Sequence, residues 1–315
     1  MMDLCENTTV SDFYILGFSS LKTEHLLLFF VIMMLVYLLT IFGNLVITTL
    51  ICLVPKLHTP MYFFVSNLSV VDIMYISSTL PKLLSITITQ NNRISFTECI
   101  AQLFFFTFSA VCDMLVLMSM AFDRYVAICK PLQYILIMNR RVCIKMAAFC
   151  WTVSAMNSLL LTMLTAVLHF CNSHEISHLF CDFKTMTGLS SSDTTSREIL
   201  MLIEDIVFAF VPFFLTILSY VKIISTILKI SSPESRLKAF SSCTSHLTTV
   251  ILFYGPIIIV YSKPESEHSK AQDNLIYLLY VVVVPMLNPF VYSLRNKDVL
   301  DAVRKLISRK IFTKI

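Results

Sequence analysis

Residues 26–54 hold no aspartate, glutamate, lysine or arginine, and neither do 146–174, 239–262 or 274–294. A hydrocarbon core about 30 Å thick takes roughly 20 apolar residues to cross as a helix, and each of these stretches reaches that length. Three more apolar stretches carry acids within them: 59–81 holds Asp72, 99–122 holds Asp113, and 199–221 holds Glu204 and Asp205. The pattern predicts an all-α membrane protein, a single seven-transmembrane helix bundle of 315 residues. The spans fall at about 25–52, 59–83, 99–124, 143–168, 198–222, 239–262 and 272–294, with 1–24 outside the membrane and 295–315 a cytoplasmic tail. Composition excludes a soluble domain, which is nearer ~25 % charged: this chain is 57% apolar and 14% charged. Pro81, Pro212, Pro256, Pro285 and Pro289 lie in or near spans. Membrane bundles tolerate them because neighbouring groups satisfy the carbonyls that proline frees.

Lysine and arginine set the orientation. With the N-terminus outside, only Lys22, Lys82, Arg93, Lys184, Arg197, Lys263 and Lys270 fall on the outer face, leaving 17 of 24 basic residues within. That bias predicts an outer N-terminus and an inner C-terminus. The formal net charge of +4 gathers on the inner face and suits anionic lipid, so the lipid bilayer is an expected partner and nucleic acid is not. In 298–310, Val299, Leu300, Val303, Leu306 and Ile307 recur at helical spacing among basic residues, which predicts a short amphipathic helix on the inner leaflet. Residues 1–24 lack a basic region followed by an apolar core, so the first span is expected to direct insertion itself. Asn7-Thr8-Thr9 is a glycosylation sequon on the expected outer face. Asn67-Leu68-Ser69 matches too, but lies inside a span and is set aside.

The third span ends in "MAFDRYVAICKP", residues 120–131. An aspartate and an arginine at a membrane boundary are expensive. Asp123 can hold Arg124 in one state and release it to a partner in another, the property a two-state switch needs. The alternative is an arginine that snorkels from a helix end. Further motifs follow the same order along the chain: Gly43-Asn44, "PMYFFVSNLSVVD" at 60–72, Ser219-Tyr220, "KAFSSCTSHL" at 238–247 and "PMLNPFVYSLRN" at 285–296.

Together these resemble the signatures of rhodopsin-like G-protein-coupled receptors, and "MAFDRYVAIC" resembles the longer form found in olfactory receptors. The resemblance spans six of the seven helices. It implies that Asp123, Arg124 and Tyr125 are the latch of a G-protein-coupled switch. Proline in Asn288-Pro289-Phe290-Val291-Tyr292 gives a deformable point, and Tyr220 and Tyr292 are expected to swing towards Arg124 when helices five to seven shift. A simple packing kink is the alternative. Asp72 and Asp113, with Asn44 and Asn288 near them in the family's fold, are expected to hold a sodium ion or a proton, or else to act as polar glue between helices.

Ten cysteines in such a chain are mostly small apolar residues. The resemblance implies a disulfide from Cys99, at the outer end of helix three, to Cys181 in the second outer loop. Relatives also pair a cysteine at the position of Cys171 with one about twenty residues on. Here Ser191 stands at that place, so Cys171 is expected unpaired and the loop less constrained. His178-Leu179-Phe180-Cys181-Asp182 resembles a segment proposed to bind copper in some relatives. A disulfide would consume the Cys181 thiolate, so no metal site and no cofactor is assigned.

A ligand pocket is expected among helices three, five and six. Leu103, Phe106, Thr107 and Ala110 lie at i, i+3, i+4, i+7 spacing, as do Tyr254, Ile257, Ile258 and Tyr261. Helix five adds Glu204, Asp205 and Phe208; the two acids point about 100° apart, so one faces the cavity, and Asp205 is favoured. The implied function is an odorant receptor, not an enzyme, that binds a small volatile odorant and activates a heterotrimeric stimulatory (olfactory-type) G protein at the plasma membrane. The rival readings are a peptide or amine receptor, and a pump or transporter. A retinal pump needs a lysine in 274–294, which has none, and no twofold repeat of the transporter kind is visible.

Overall fold

The computed structural model describes residues 12–16, 23–170, 174–191, 195–261, 277–294 and 299–301. Helix α1 (Thr23–Leu53) leads through a 3-10 turn at Pro55–Leu57 to α2 (Pro60–Thr89). Thr59 caps α2 by accepting from the Tyr62 amide at 3.5 Å, and Pro60 fills the first turn, where a missing N–H costs nothing. Gln90 ends the helix in the left-handed region at φ 52°. Helix α3 (Phe96–Cys129) opens on a reciprocal cap in which Ser95 accepts from the Glu98 amide and the Glu98 carboxylate accepts from the Ser95 amide. Its 34 residues reach about 50 Å at 1.5 Å each. That exceeds the ~30 Å hydrocarbon core, so Asp123 and Arg124, near the end opposite the Ser95 cap, need not lie in its middle.

A second 3-10 turn (Pro131–Gln133) and the single turn α4 (Tyr134–Ile137) cross to α5 (Arg140–Ala166), capped by Asn139. Helix α6 (Phe183–Leu189) lies in the second outer loop. Helix α7 (Thr195–Glu204) continues through a π-helical stretch, Asp205–Phe210, into α8 (Val211–Leu228). Then follow α9 (Pro233–Tyr261), a second π stretch (Leu279–Val283) and α10 (Val284–Leu294). Both π stretches end just before a proline, Pro212 and Pro285. Proline donates no N–H and its ring pushes on the carbonyl four residues back, so the preceding turn widens.

Among the described residues six helices are long and apolar enough to cross a membrane, and Tyr280–Ser293 adds a shorter apolar seventh. The fold is a seven-helix membrane bundle. Helices α1, α2, α3 and α5 pack in sequence, α8 lies on α3, and α10 closes the ring against α1 and α9. Of the tail only Val299–Asp301 is described, so most of the expected amphipathic helix lies outside the described residues. Asn7 and Cys171 lie outside them too.

The outer face holds a small sheet that the sequence did not announce. Strand β1 (Asp12–Ile15) lies between β2 (Arg93–Ser95), antiparallel with Phe13 opposite Ile94, and β3 (Glu175–Ile176), parallel with Ile15 opposite Ile176. Phe13 and Ile15 are buried against Ile94, Cys99, Leu103, Phe170 and Ile176, while Tyr14 faces out. Arg93 donates to the Asp12 carboxylate at 2.6 Å. A four-residue strand in a polar segment shows only two alternations, too few to read as a strand beforehand.

Candidate ligand site and switch

The outer half of the bundle is threaded by a chain of rings. His178 in the second outer loop sits edge-on to Phe180 at 4.8 Å and to Tyr277 at 4.9 Å. Phe180 meets Phe106 of α3 at 4.6 Å, and Phe106 stacks on Tyr75 of α2 at 5.2 Å. Tyr75 meets Tyr280, Tyr280 meets Phe253, and Phe253 meets Tyr254, which reaches Phe213 of α8 at 4.8 Å. The Cys99–Cys181 disulfide, with sulfurs 2.06 Å apart, fixes the loop over this chain. Gln102 adds a second tie: its amide donates to the Ser78 carbonyl while its oxygen accepts from the Cys181 amide at 2.9 Å. Ser191, where a second cysteine was expected, donates its amide to the His169 carbonyl at 2.9 Å, so a backbone bond joins the arms of the loop there. Burial pushes the His178 imidazole below its usual pKa; Asp182 opposes this and Lys184 adds to it. The Tyr254 hydroxyl and the Ser109 hydroxyl are buried without a hydrogen-bond partner among the described residues.

The residues expected in the pocket divide. Phe106, Ala110, Phe208, Tyr254 and Ile257 all pack into the main core of the bundle. Thr107 is half-buried beside Phe106. Leu103 is fully buried elsewhere, in the outer cluster under β1, because α3 turns that face towards the sheet and α5. Ile258 is 46% exposed and points out of the bundle: the inward stripe of α9 runs through Val250, Phe253, Tyr254 and Ile257, one residue to the side of the expected face. Glu204 and Asp205 are both half-buried, at the junction of α7 with the π stretch. The Tyr261 side chain lies outside the described residues. Tyr75, Phe180, Phe253 and Tyr280 were not foreseen, since no spacing within one helix shows which rings on other helices they will meet.

Deeper in the bundle, polar groups bridge helices. Pro289 offers no N–H to the Pro285 carbonyl one turn back, and the Asn44 amide donates to that carbonyl at 3.1 Å. The neighbouring Gly43 makes this approach possible: a Cβ there would meet Pro289 carbons at 3.2 Å. Asn288 donates to both Asp72 oxygens, at 3.1 and 3.0 Å. Asp113 is buried within electrostatic reach of Asp72, and its Oδ1 has no hydrogen-bond partner among the described residues. Asn67 donates to the Phe63 carbonyl and accepts from the Trp151 indole at 3.0 Å, an interior role for the second sequon.

At the inner end Asp123 is fully buried and carries three bonds. Arg124 donates to one oxygen through both Nε, at 2.9 Å, and Nη2, and Tyr134 of α4 donates to the other at 2.7 Å. Burial, then the nearby Asp123 charge, raises the Tyr134 pKa, so this phenol stays a donor. One turn further in, His246 of α9 is buried between two partners: its Nε2 lies 3.1 Å from the Leu117 carbonyl and its Nδ1 lies 2.7 Å from the Tyr220 hydroxyl. The carbonyl accepts, so Nε2 carries a proton, and Nδ1 shares a hydrogen bond with the Tyr220 hydroxyl. One imidazole thus ties α3, α8 and α9 together. Tyr292 of α10 is buried at the same level.

The family model described as olfactory receptor matches residues 33–310. The chain belongs to the olfactory receptor family. Three of its relatives are mouse (Mus musculus) olfactory receptor 1E16, 43% identical over 303 residues and covering 96% of each chain; gorilla (Gorilla gorilla gorilla) olfactory receptor 1G1, 44% identical over 302 residues, 95% of this chain and 96% of the relative; and human (Homo sapiens) olfactory receptor 1S1, 44% identical over 304 residues, 96% of this chain and 93% of the relative. Its apolar helices and family make this olfactory receptor a multi-pass protein of the plasma membrane. Its inner side chains are joined through Asp123, Arg124 and Tyr134, and its outer rings lie beneath the disulfide-bonded loop.

Proposed function

We propose that this olfactory receptor binds a small volatile molecule among the outer rings and relays binding to a stimulatory heterotrimeric G protein, raising cAMP. One observation carries this reading: the ring chain under the second outer loop ends on Phe213 and Tyr254, and the same two helices carry Tyr220 and His246 further in. A ligand that displaces Phe213 or Tyr254 levers α8 against α9 and strains the bonds around His246. Ligand sites are mostly apolar with a few placed polar groups. Phe106, Ala110, Phe208, Ile257, Tyr75, Phe180, Phe253 and Tyr280 supply the walls, and Thr107, Asp205 and the unpartnered Tyr254 hydroxyl supply orientation.

Breaking the His246 and Asp123 bonds frees Tyr220 and Arg124 for a partner. Beside them Leu132, Ile135 and Leu136 are 98%, 82% and 76% exposed in the connection from α3 to α5, an apolar surface suited to a G-protein subunit. Asp72 is engaged by Asn288, but Asp113 Oδ1, Asn44 Oδ1 and Asn288 Oδ1 are buried acceptors without donors among the described residues. An all-oxygen set of that kind suits a sodium ion or a proton, bound in the closed state.

The test is a panel of volatile compounds applied to cells co-expressing the receptor and the olfactory G protein. With an agonist in hand, Phe106→Ala and Phe180→Ala should each shift potency by roughly tenfold, the range that aromatic contacts support, and Tyr254→Phe, which removes only the hydroxyl, by roughly fivefold, the worth of one hydrogen bond. Surface expression should be unchanged. Unshifted potency in all three would remove the ring chain as the site.

A further inference from the structure

On the inner half of the bundle, α3, α5 and α8 leave a groove of about 380 Å³ between them. That volume lies in the ~300–1,000 Å³ range of small-ligand sites. Met118 and Phe122 of α3, Met146 of α5, and Leu215 and Leu218 of α8 form its walls. Phe122, Leu215 and Leu218 are 40%, 44% and 43% exposed, so the groove opens outward, towards lipid. The two serines in its lining are already engaged by their own helices: Ser119 donates to the Leu115 carbonyl and Ser219 to the Leu215 carbonyl, each at 2.8 Å. Apart from the Tyr125 phenol and Lys222, the rest of the lining is apolar.

Charge appears only at one end. Lys222 lines the cytoplasmic end of the groove, is exposed, and makes no ion pair among the described residues. Arg141 and Lys145 are exposed on α5 beside Met146, and the inner turns of that helix carry no acid. An apolar slot that ends on an unpaired cation at the inner interface matches an amphiphile with one anionic head and a long tail. The cytoplasmic leaflet is rich in such lipids, and basic pockets between helices on that side hold their headgroups.

We propose that this groove is a binding site for an anionic phospholipid of the cytoplasmic leaflet, with one acyl chain between α3 and α8 and the phosphate on Lys222. The occupant lies against Tyr125, next to the latch arginine, and holds α3 and α8 at their observed spacing. The site needs neither odorant nor G protein, so its test is independent of the signalling reading.

The experiment uses the full receptor in nanodiscs of phosphatidylcholine with a phosphatidylserine probe that carries a photoreactive group in its acyl chain. Crosslinked peptides are mapped by mass spectrometry. Labelling should concentrate on 118–125 and 215–222. Lys222→Gln should lower it about fivefold, the worth of one basic residue at an anionic surface. Lys222→Arg should retain it, and Lys229→Gln, outside the groove, should leave it unchanged. Leu218→Trp, which fills the slot, should abolish it while the protein keeps its thermal unfolding midpoint. A phosphatidylcholine probe that labels the same residues equally well, or labelling indifferent to Lys222→Gln, would reduce the groove to ordinary boundary contact and overturn the proposal.

Discussion

Asn44 owes its place to a hydrogen that Pro289 lacks. Its amide satisfies the carbonyl left free in α10, so Asn44→Ala should leave a buried acceptor bare, at a cost of about 1–3 kcal/mol. The lower thermal unfolding midpoint of the purified receptor would report it. His246 belongs to the same class of residue. Its segment was legible as part of a family signature, yet a lone histidine in an apolar helix does not declare partners 129 and 26 positions away. His246→Phe removes both bonds and leaves Tyr220 and the Leu117 carbonyl free. We expect higher ligand-independent cAMP at matched surface expression, because the closed state loses more than the open one. Unchanged basal cAMP would separate His246 from the switch. Asp123 and Arg124 were legible because an ion pair at a membrane boundary demands a reason. Tyr134, which shares Asp123, was not, since nothing in "PLQY" marks that phenol as a donor to the latch.

At the scale of elements, the seven helices could be read from apolar length, four of them free of charge and three carrying acids, but their irregularities could not. The π stretches before Pro212 and Pro285 depend on how the widened turns pack, and β1 on two strands from distant loops. The outer cap is held chiefly by the Cys99–Cys181 disulfide, which closes a separation of 82 residues. Loss of either cysteine should cost about 4.5 kcal/mol by the loop-entropy relation, seen as lost surface delivery. Cys171→Ser should be milder. Phe13→Ala should destabilise the cap by about 3–5 kcal/mol, the usual cost of emptying a buried ring site, and thermal denaturation would measure it. The cap should also be sensitive to acid through His178, which faces Phe180 and Tyr277 with Asp182 and Lys184 nearby. Unfolded, the imidazole titrates near ~6.5; folded, burial holds its pKa lower. Its contribution is therefore complete above about pH 6.5 and is lost as pH falls through the folded pKa. His178→Gln should flatten the dependence of the unfolding midpoint on pH in that window.

Across the whole molecule, a disulfide-bonded roof, a chain of rings and the Asp123–Arg124 pair lie along one set of helices, and in the proposed function that pair reports what the rings bind. Glu204 and Asp205 stand about 100° apart, as adjacent helical residues must, but the π stretch that begins at Asp205 sets how far each turns inward. The most direct measurement is agonist-evoked cAMP from wild type and Arg124→Ala, compared at equal surface density in cells that supply the olfactory G protein. A saturable response to a volatile compound in wild type, abolished in Arg124→Ala, is the predicted result. A full response from a well-expressed Arg124→Ala receptor would contradict it.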